Sequence, residues 1–286
     1  MRLMGRPCPP LSTVAMRIQG AGRFSRRCHK SFRIGALILR HDRRHSGLEA
    51  KTGFLVRYGL YYAPHPDAAF ARLANAWLGR DPVTDAPVEQ PPVPGFSREE
   101  FADVTAEARR YGFHGTIKAP FRLADTVTEA HLLAEAESFA ASRVPVPVGG
   151  MKAATLHGFV ALVPAGDAEA LGSFAGEVVR HFDRFRAPLT PEDRARRIPS
   201  TLTERQRGNL DQWGYPYIFD DFGFHLTLSK RLDGGRAEKL RTFASDYFAR
   251  HLAEPLHIDA LTLFVEAEPG RPFTQLARFP FAVPQS

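Results

Sequence analysis

The sequence predicts an α+β fold in which two pseudo-symmetric lobes carry antiparallel sheets that line a central cleft. Three observations lead there. The string Gly-Phe-His-x-Thr occurs twice, at 112–116 and at 223–227, each time followed by an aliphatic residue. Composition alone gives that recurrence a chance of about one in three hundred, so a duplicated element is the better reading. Strand-like and helix-like periods alternate from Tyr58 onward. The order after each histidine is the same in both halves: strand, helix, strand, strand. The offset of 111 residues between His114 and His225 is too long for a solenoid repeat and suits two lobes.

Taken in order, 58–62 reads as a strand, and Phe70, Leu73, Ala74, Trp77 and Leu78 recur at helical spacing behind Pro66. A proline-rich loop follows, and Ser97 with Glu100 forms a capping box ahead of Phe101, Val104 and Ala108. That helix leads into the first histidine string. Thr126 with Glu129 resembles a second capping box, opening a helix marked by Leu132, Leu133, Ala136, Phe139 and Ala140. Short β-like stretches are expected near 144–155 and at 158–163. A helix with Leu171, Phe174, Val178 and Phe182 inward comes next, followed by an Arg-rich helical linker over 188–213. After the second string, Leu240, Phe243, Ala244, Tyr247 and Phe248 mark a helix, and 258–266 and 273–281 read as strands.

The charge separates a tail from a body. The 286 residues carry a formal net charge of +7, but residues 1–57 hold 13 Lys and Arg against 2 Asp and Glu, leaving 25 against 29 for the rest. The slightly acidic body argues against a general nucleic-acid binder. Residues 1–56 are expected to be a basic extension outside the folded body, disordered or upstream of a true start near Val56, with 57–286 forming one two-lobed domain. Cys8 and Cys28, the only cysteines, both lie in that tail and give no disulfide framework. No apolar run reaches the roughly 20 residues a membrane helix needs. The expected setting is the cytoplasm, with no membrane partner.

In a strand, residues two apart share a face. The first copy therefore presents His114, Thr116 and Lys118 together, and the second His225, Thr227 and Ser229, with Phe113, Ile117, Phe224, Leu226 and Leu228 turned to the core. Two such faces side by side suit a phosphate diester. Histidines titrating near neutrality supply a general base and a general acid, while the hydroxyls and Lys118 bind the phosphate oxygens. The scheme needs no metal and no cofactor. Tyr111, Trp213, Tyr215 and Tyr217 are candidates for stacking on a sugar or base, although aromatics in such numbers usually anchor a core. The linker arginines, Arg197 among them, read as a solvated helical face. Neither GxSxG nor the P-loop pattern occurs.

Paired His-x-Thr strings on duplicated halves resemble the 2H phosphoesterase superfamily. The stretches at 57–64, 77–81, 109–123, 185–188 and 213–217 are similar to one subgroup, the DUF1045 family of phosphonate metabolism proteins. That resemblance implies metal-free phosphoesterase chemistry with His114 and His225 as the acid and base pair. It also implies a small phosphorylated substrate, a ribose cyclic phosphate beside the carbon-phosphorus lyase pathway. Gly115 departs from the family's usual alanine, a mild change on the core face. The alternatives are an RNA 2′,3′-cyclic phosphodiesterase or ligase-like protein, and a module that binds RNA ends or a phosphorylated metabolite without turnover.

Overall fold

The computed structural model describes residues 56–197 and 201–282. The expected extension over 1–56, Val56 apart, lies outside the described residues. The first half runs β1 (Arg57–Tyr62), α1 (Ala69–Leu78), α2 (Arg98–Tyr111), β2 (Gly115–Phe121), α3 (Glu129–Ala141), β3 (Val146–Gly149) and β4 (Met151–Leu156). The second runs β5 (Phe159–Pro164), α4 (Glu169–Phe182), α5 (Pro191–Arg197), α6 (Glu204–Trp213), β6 (Leu226–Thr227), α7 (Gly234–Leu252), β7 (Leu256–Ile258) and β8 (Ala260–Glu266). With α5 as an insertion, the two orders are the same, and β9 (Thr274–Pro280) is an addition at the end. The fold is α+β, with antiparallel pairing throughout.

The halves are interwoven. β1, which opens the first half, pairs with β8, which closes the second; β5, which opens the second, pairs with β4, which closes the first. β3 and β7 form a small ribbon with each other. Each lobe therefore draws strands from both halves: β2, β1, β8 and β9 with α3 packed on β8 and β9, and β6, β5 and β4 with α7 packed on β4 and β5. The lobes meet where β2 pairs with β6, so their strands form one seven-stranded sheet in the order β4-β5-β6-β2-β1-β8-β9.

Local chemistry explains the elements that aim the site. Ser97 caps α2 with the expected capping box. The helix ends at Gly112, whose positive φ of 75° turns the chain into the first histidine string. Trp77 on α1 is fully buried among Phe101, Phe243, Tyr247 and Phe248, and its indole N–H donates to the Leu228 carbonyl at 2.9 Å. That bond ties a helix of the first half to the second string. The N-cap of α3 is Thr128, which accepts from the His131 amide, two residues beyond the expected Thr126. The β-like stretch near 144–155 resolves into two strands, β3 and β4.

Candidate active site

Gly115 and Leu226 are the paired residues at the junction of β2 and β6. Continued one residue each way, this antiparallel register sets His114 across from Thr227 and Thr116 across from His225. Alternation along a strand then puts all four side chains on the face opposite Gly115 and Leu226. Both strings thus meet at one point, with the imidazoles on one diagonal and the hydroxyls on the other. Phe113 and Phe224 turn to the core, as the alternation requires.

Each histidine is held in the same way. His114 Nδ1 lies 2.9 Å from the Gly112 carbonyl, and His225 Nδ1 lies 2.8 Å from the Gly223 carbonyl. A carbonyl oxygen only accepts, so both Nδ1 atoms carry a proton, and Nε2 is the end at which a neutral ring can accept one. Thr116 Oγ1 is 3.2 Å from His114 Nε2 and donates to it when that nitrogen is unprotonated. The carbonyl at the start of each string sets the tautomer two residues on.

The surroundings of the two rings differ. The His114 ring lies tilted against Tyr61, with 4.0 Å between ring centres, and is flanked by Tyr111 and Phe264. Burial, chiefly, lowers its pKa to about 4, against the opposing effect of the Gly112 bond and with a smaller push from His225. His225 packs on Phe159 at 5.6 Å. Tyr61 and Phe159 do one job from different positions. Matching the β1–β2 and β5–β6 pairings places Tyr61 where Ala161 stands and Gly59 where Phe159 stands. A Cβ at Gly59 would overlap the Tyr61 ring, so that ring folds back over the space which Phe159 fills in the other half.

The cleft over this junction has a volume of about 630 Å³. His114, Thr116, Thr227 and Ser229 line it; His225 is not itself a lining residue but packs on Phe159, which is. Five cations line it too, Arg57, Arg110, Arg197, Lys230 and Arg231, against the carboxylates of Glu107 and Asp193. An anion is the matching ligand. Tyr61, Tyr111 and Tyr215 form an aromatic wall, whereas Trp213 lies elsewhere and Tyr217 is exposed. Among the described residues no three His, Cys, Asp or Glu side chains cluster as metal ligands. Nor is any helix among them long and apolar enough to cross a membrane.

Two expected phosphate ligands are placed differently. Lys118 is 3% exposed, with its ammonium on the Val179 carbonyl and Asp183 Oδ1, both at 3.2 Å, and it does not line the cleft. The reason is a bulge: Leu60 faces Lys118 while Tyr61 faces Thr116, leaving Ile117 over. The alternation from His114 to Thr116 therefore does not continue to Lys118, which joins the core face of Leu60. Burial lowers its pKa to about 8, with Asp183 opposing. Ser229 does reach the cleft, but its hydroxyl accepts from the Val160 amide at 2.9 Å and donates to the Lys230 carbonyl at 2.8 Å. Its donor is used in fixing the strand end.

Sequence reasoning missed Arg57, Arg110 and Tyr61, and it read Arg197 as solvent-facing. Arg197 instead reaches back from α5 to the Pro120 and Gly214 carbonyls, with Tyr215 beneath its guanidinium. A signal for Arg57 was present, since it shares the face of Gly59 and Tyr61 by period two. Gly115 is also more constrained than a mild core change, because a Cβ there would overlap the Phe224 ring.

Comparison with known proteins adds the following. The family described as Protein of unknown function (DUF1045) matches residues 116–274. The chain is 40% identical over 232 residues to a ribose 1,5-bisphosphate phosphokinase PhnN from Janthinobacterium sp. (strain Marseille), covering 80% of this chain and 51% of that protein. It is 34% identical over 218 residues to a protein of the same name from Laribacter hongkongensis (strain HLHK9), covering 76% and 50%. The chain thus spans about half the length of these curated relatives. A solved structure titled as a phosphoesterase aligns over 80% of this chain and 99% of its own, at 13% identity and a TM-score of 0.35, a likeness too loose to bear on fold or chemistry. With the family match extending over more than half of its length and taking in Thr116, His225 and Thr227, the chain belongs to the DUF1045 family.

Proposed function

We propose that this chain is a phosphoesterase of the 2H type that opens a cyclic phosphodiester without a metal ion, acting in phosphonate metabolism on a ribose cyclic phosphate. The observation that carries the reading is the meeting of the two strings at Gly115 and Leu226, with both Nδ1 atoms on backbone carbonyls and the Nε2 ends, that of His114 with the Thr116 hydroxyl on it, turned to proton exchange. The relatives' name supports the substrate class, because ribose 1,5-bisphosphate is itself a phosphorylated ribose. Their kinase activity is not carried over. The chain covers half of each, and it lacks the GxxxxGK[ST] string that cradles a nucleotide triphosphate.

The steps balance with the groups at hand. The cyclic phosphate sits between the imidazoles, its non-bridging oxygens accepting from Thr116 and Thr227. One Nε2 takes a proton from water as the water oxygen bonds to phosphorus. The other, protonated, gives its proton to the ribose oxygen as the P–O bond breaks, leaving a monoester and a free hydroxyl. The lowered pKa of His114 keeps it neutral near pH 7, which suits the base, and His225 is then the acid. Transfer of the proton between the rings, or exchange with solvent, restores the start.

The test is phosphorus NMR of the full chain with ribose 1,2-cyclic phosphate, and separately with RNA bearing a 2′,3′-cyclic end, in the presence of EDTA. A monoester resonance appearing at an undiminished rate in EDTA is the expected result. Salt-dependent RNA binding with both cyclic phosphates left intact would instead identify a binding module.

A further inference from the structure

The cleft is larger than one phosphate requires, and a pair of its cations stands away from the histidines. Arg57 shares the cleft face of β1 with Tyr61, four residues on, and Tyr61 faces Thr116. At the rise of a strand, Arg57 starts about 13 Å from the level of Thr116, beyond a phosphate held by the two threonines. Directly across from Arg57 on β8 is Glu266, whose side chain is fully buried. That carboxylate accepts from Arg57 Nε at 2.5 Å, from Arg110, and from the Gly270 amide at 3.1 Å.

The carboxylate is fully satisfied and cancels one of the two positive charges, so one remains. Its own pKa is lowered, the arginine bonds outweighing burial, and it stays ionised. The arginines are not used up. Arg57 spends only Nε on Glu266, and its two terminal nitrogens have no hydrogen-bond partner among the described residues. Arg110 spends only Nη2 on Glu266 and leaves Nη1 without a partner there; its Nε, also unpaired, is buried out of a ligand's reach. Phe273 lies under the Arg57 guanidinium at 5.6 Å, and Tyr111 under that of Arg110 at 5.4 Å, so each cation rests on an aromatic face. Two oriented guanidiniums with open donors at one end of an anion-binding cleft match the oxygens of a phosphoryl group.

We propose that Arg57 and Arg110, held side by side by Glu266, form a second anion subsite that takes a phosphoryl monoester on the same substrate, a sugar ring away from the phosphate between the histidines. This rests on the phosphoesterase reading and narrows its substrate to a doubly phosphorylated sugar. The subsite has no counterpart in the other half, where matching the strand pairings puts His157 at the position of Arg57. It therefore also orients the substrate in an otherwise two-fold cleft.

The full chain, with Arg57→Lys and Arg110→Lys, is assayed on ribose 1,2-cyclic phosphate and on its 5-phosphorylated form. Lysine keeps a charge beside Glu266, so the ion pair survives while the paired planar donors are lost. The native chain is expected to prefer the 5-phosphorylated form in kcat/KM by about tenfold or more, and each variant to lose most of that preference. No preference in the native chain, or the same preference in both variants, overturns the subsite. If neither compound is opened, the phosphoesterase reading fails, and the subsite is then decided by calorimetry with ribose 1,5-bisphosphate against ribose 1-phosphate. Tighter binding of the bisphosphate that both variants abolish supports it, and equal affinities overturn it.

Discussion

His114 and His225 are equivalent in sequence and unequal in surroundings. Burial against Tyr61 lowers the His114 pKa below the ordinary 6.5, so between pH 6.5 and 4 the unfolded chain binds a proton that the folded chain does not. Stability contributed by the neutral ring is therefore intact above 6.5 and declines as pH falls toward 4, by at most about 3 kcal/mol and less because one edge faces the cleft. Denaturant melts at pH 7 and 4.5 should show a smaller acid loss for His114→Gln than for the native chain; parallel losses would contradict the assigned environment. Gly115→Ala is expected to lower stability by about 1–3 kcal/mol and to cut turnover, as its methyl group forces Phe224 and the joined strings apart. A thermal melt with a rate measurement checks both. The shared face of the histidines and threonines was legible because a repeat announces itself. Lys118 was misread because period-two reasoning has no means of seeing a bulge, which depends on the partner strand and not on the strand's own residues. Lys118→Met is accordingly expected to change stability more than kcat, and a large kcat loss with an unchanged melt would return it to the phosphate site.

At the scale of elements, helices were read well wherever the cap chemistry was local. The Ser97 capping box is in place, and Ser97→Ala is expected to cost about 1 kcal/mol in a chemical melt with little effect on activity, since the box lies at the far end of α2 from Gly112. The box expected at Thr126 is replaced by a simple N-cap at Thr128, which is nearer the first turn and accepts from the His131 amide. The second histidine strand contracts to Leu226 and Thr227, which pair with Gly115 on one side and with Ala161 and Leu162 on the other. Ladder length is a tertiary property. The helix α5 shows the same limit: its arginines look solvated by composition, yet Arg197 is directed by the Pro120 and Gly214 carbonyls, which lie far away in sequence.

For the whole molecule, the duplication was legible, but the exchange of strands between the halves was not, because it concerns which strand pairs with which. It has a consequence for folding. β1 needs β8, and β5 needs β4, so each half alone keeps only part of its sheet, β1–β2 in the first and β5–β6 and β8–β9 in the second. Residues 57–156 and 159–282 expressed separately should each lack stable structure by circular dichroism and regain it on mixing; a cooperative melt from either fragment alone would contradict this pairing. The same exchange brings the two strings to one seam, and the chemical account depends on that seam. The most direct test is turnover of an active cyclic phosphate by His114→Ala, His225→Ala and the double variant. A loss of about 10²–10⁴ is expected for each single variant, with the double variant scarcely worse because the pair acts as a unit. Turnover within a few-fold of native in either folded single variant would contradict it.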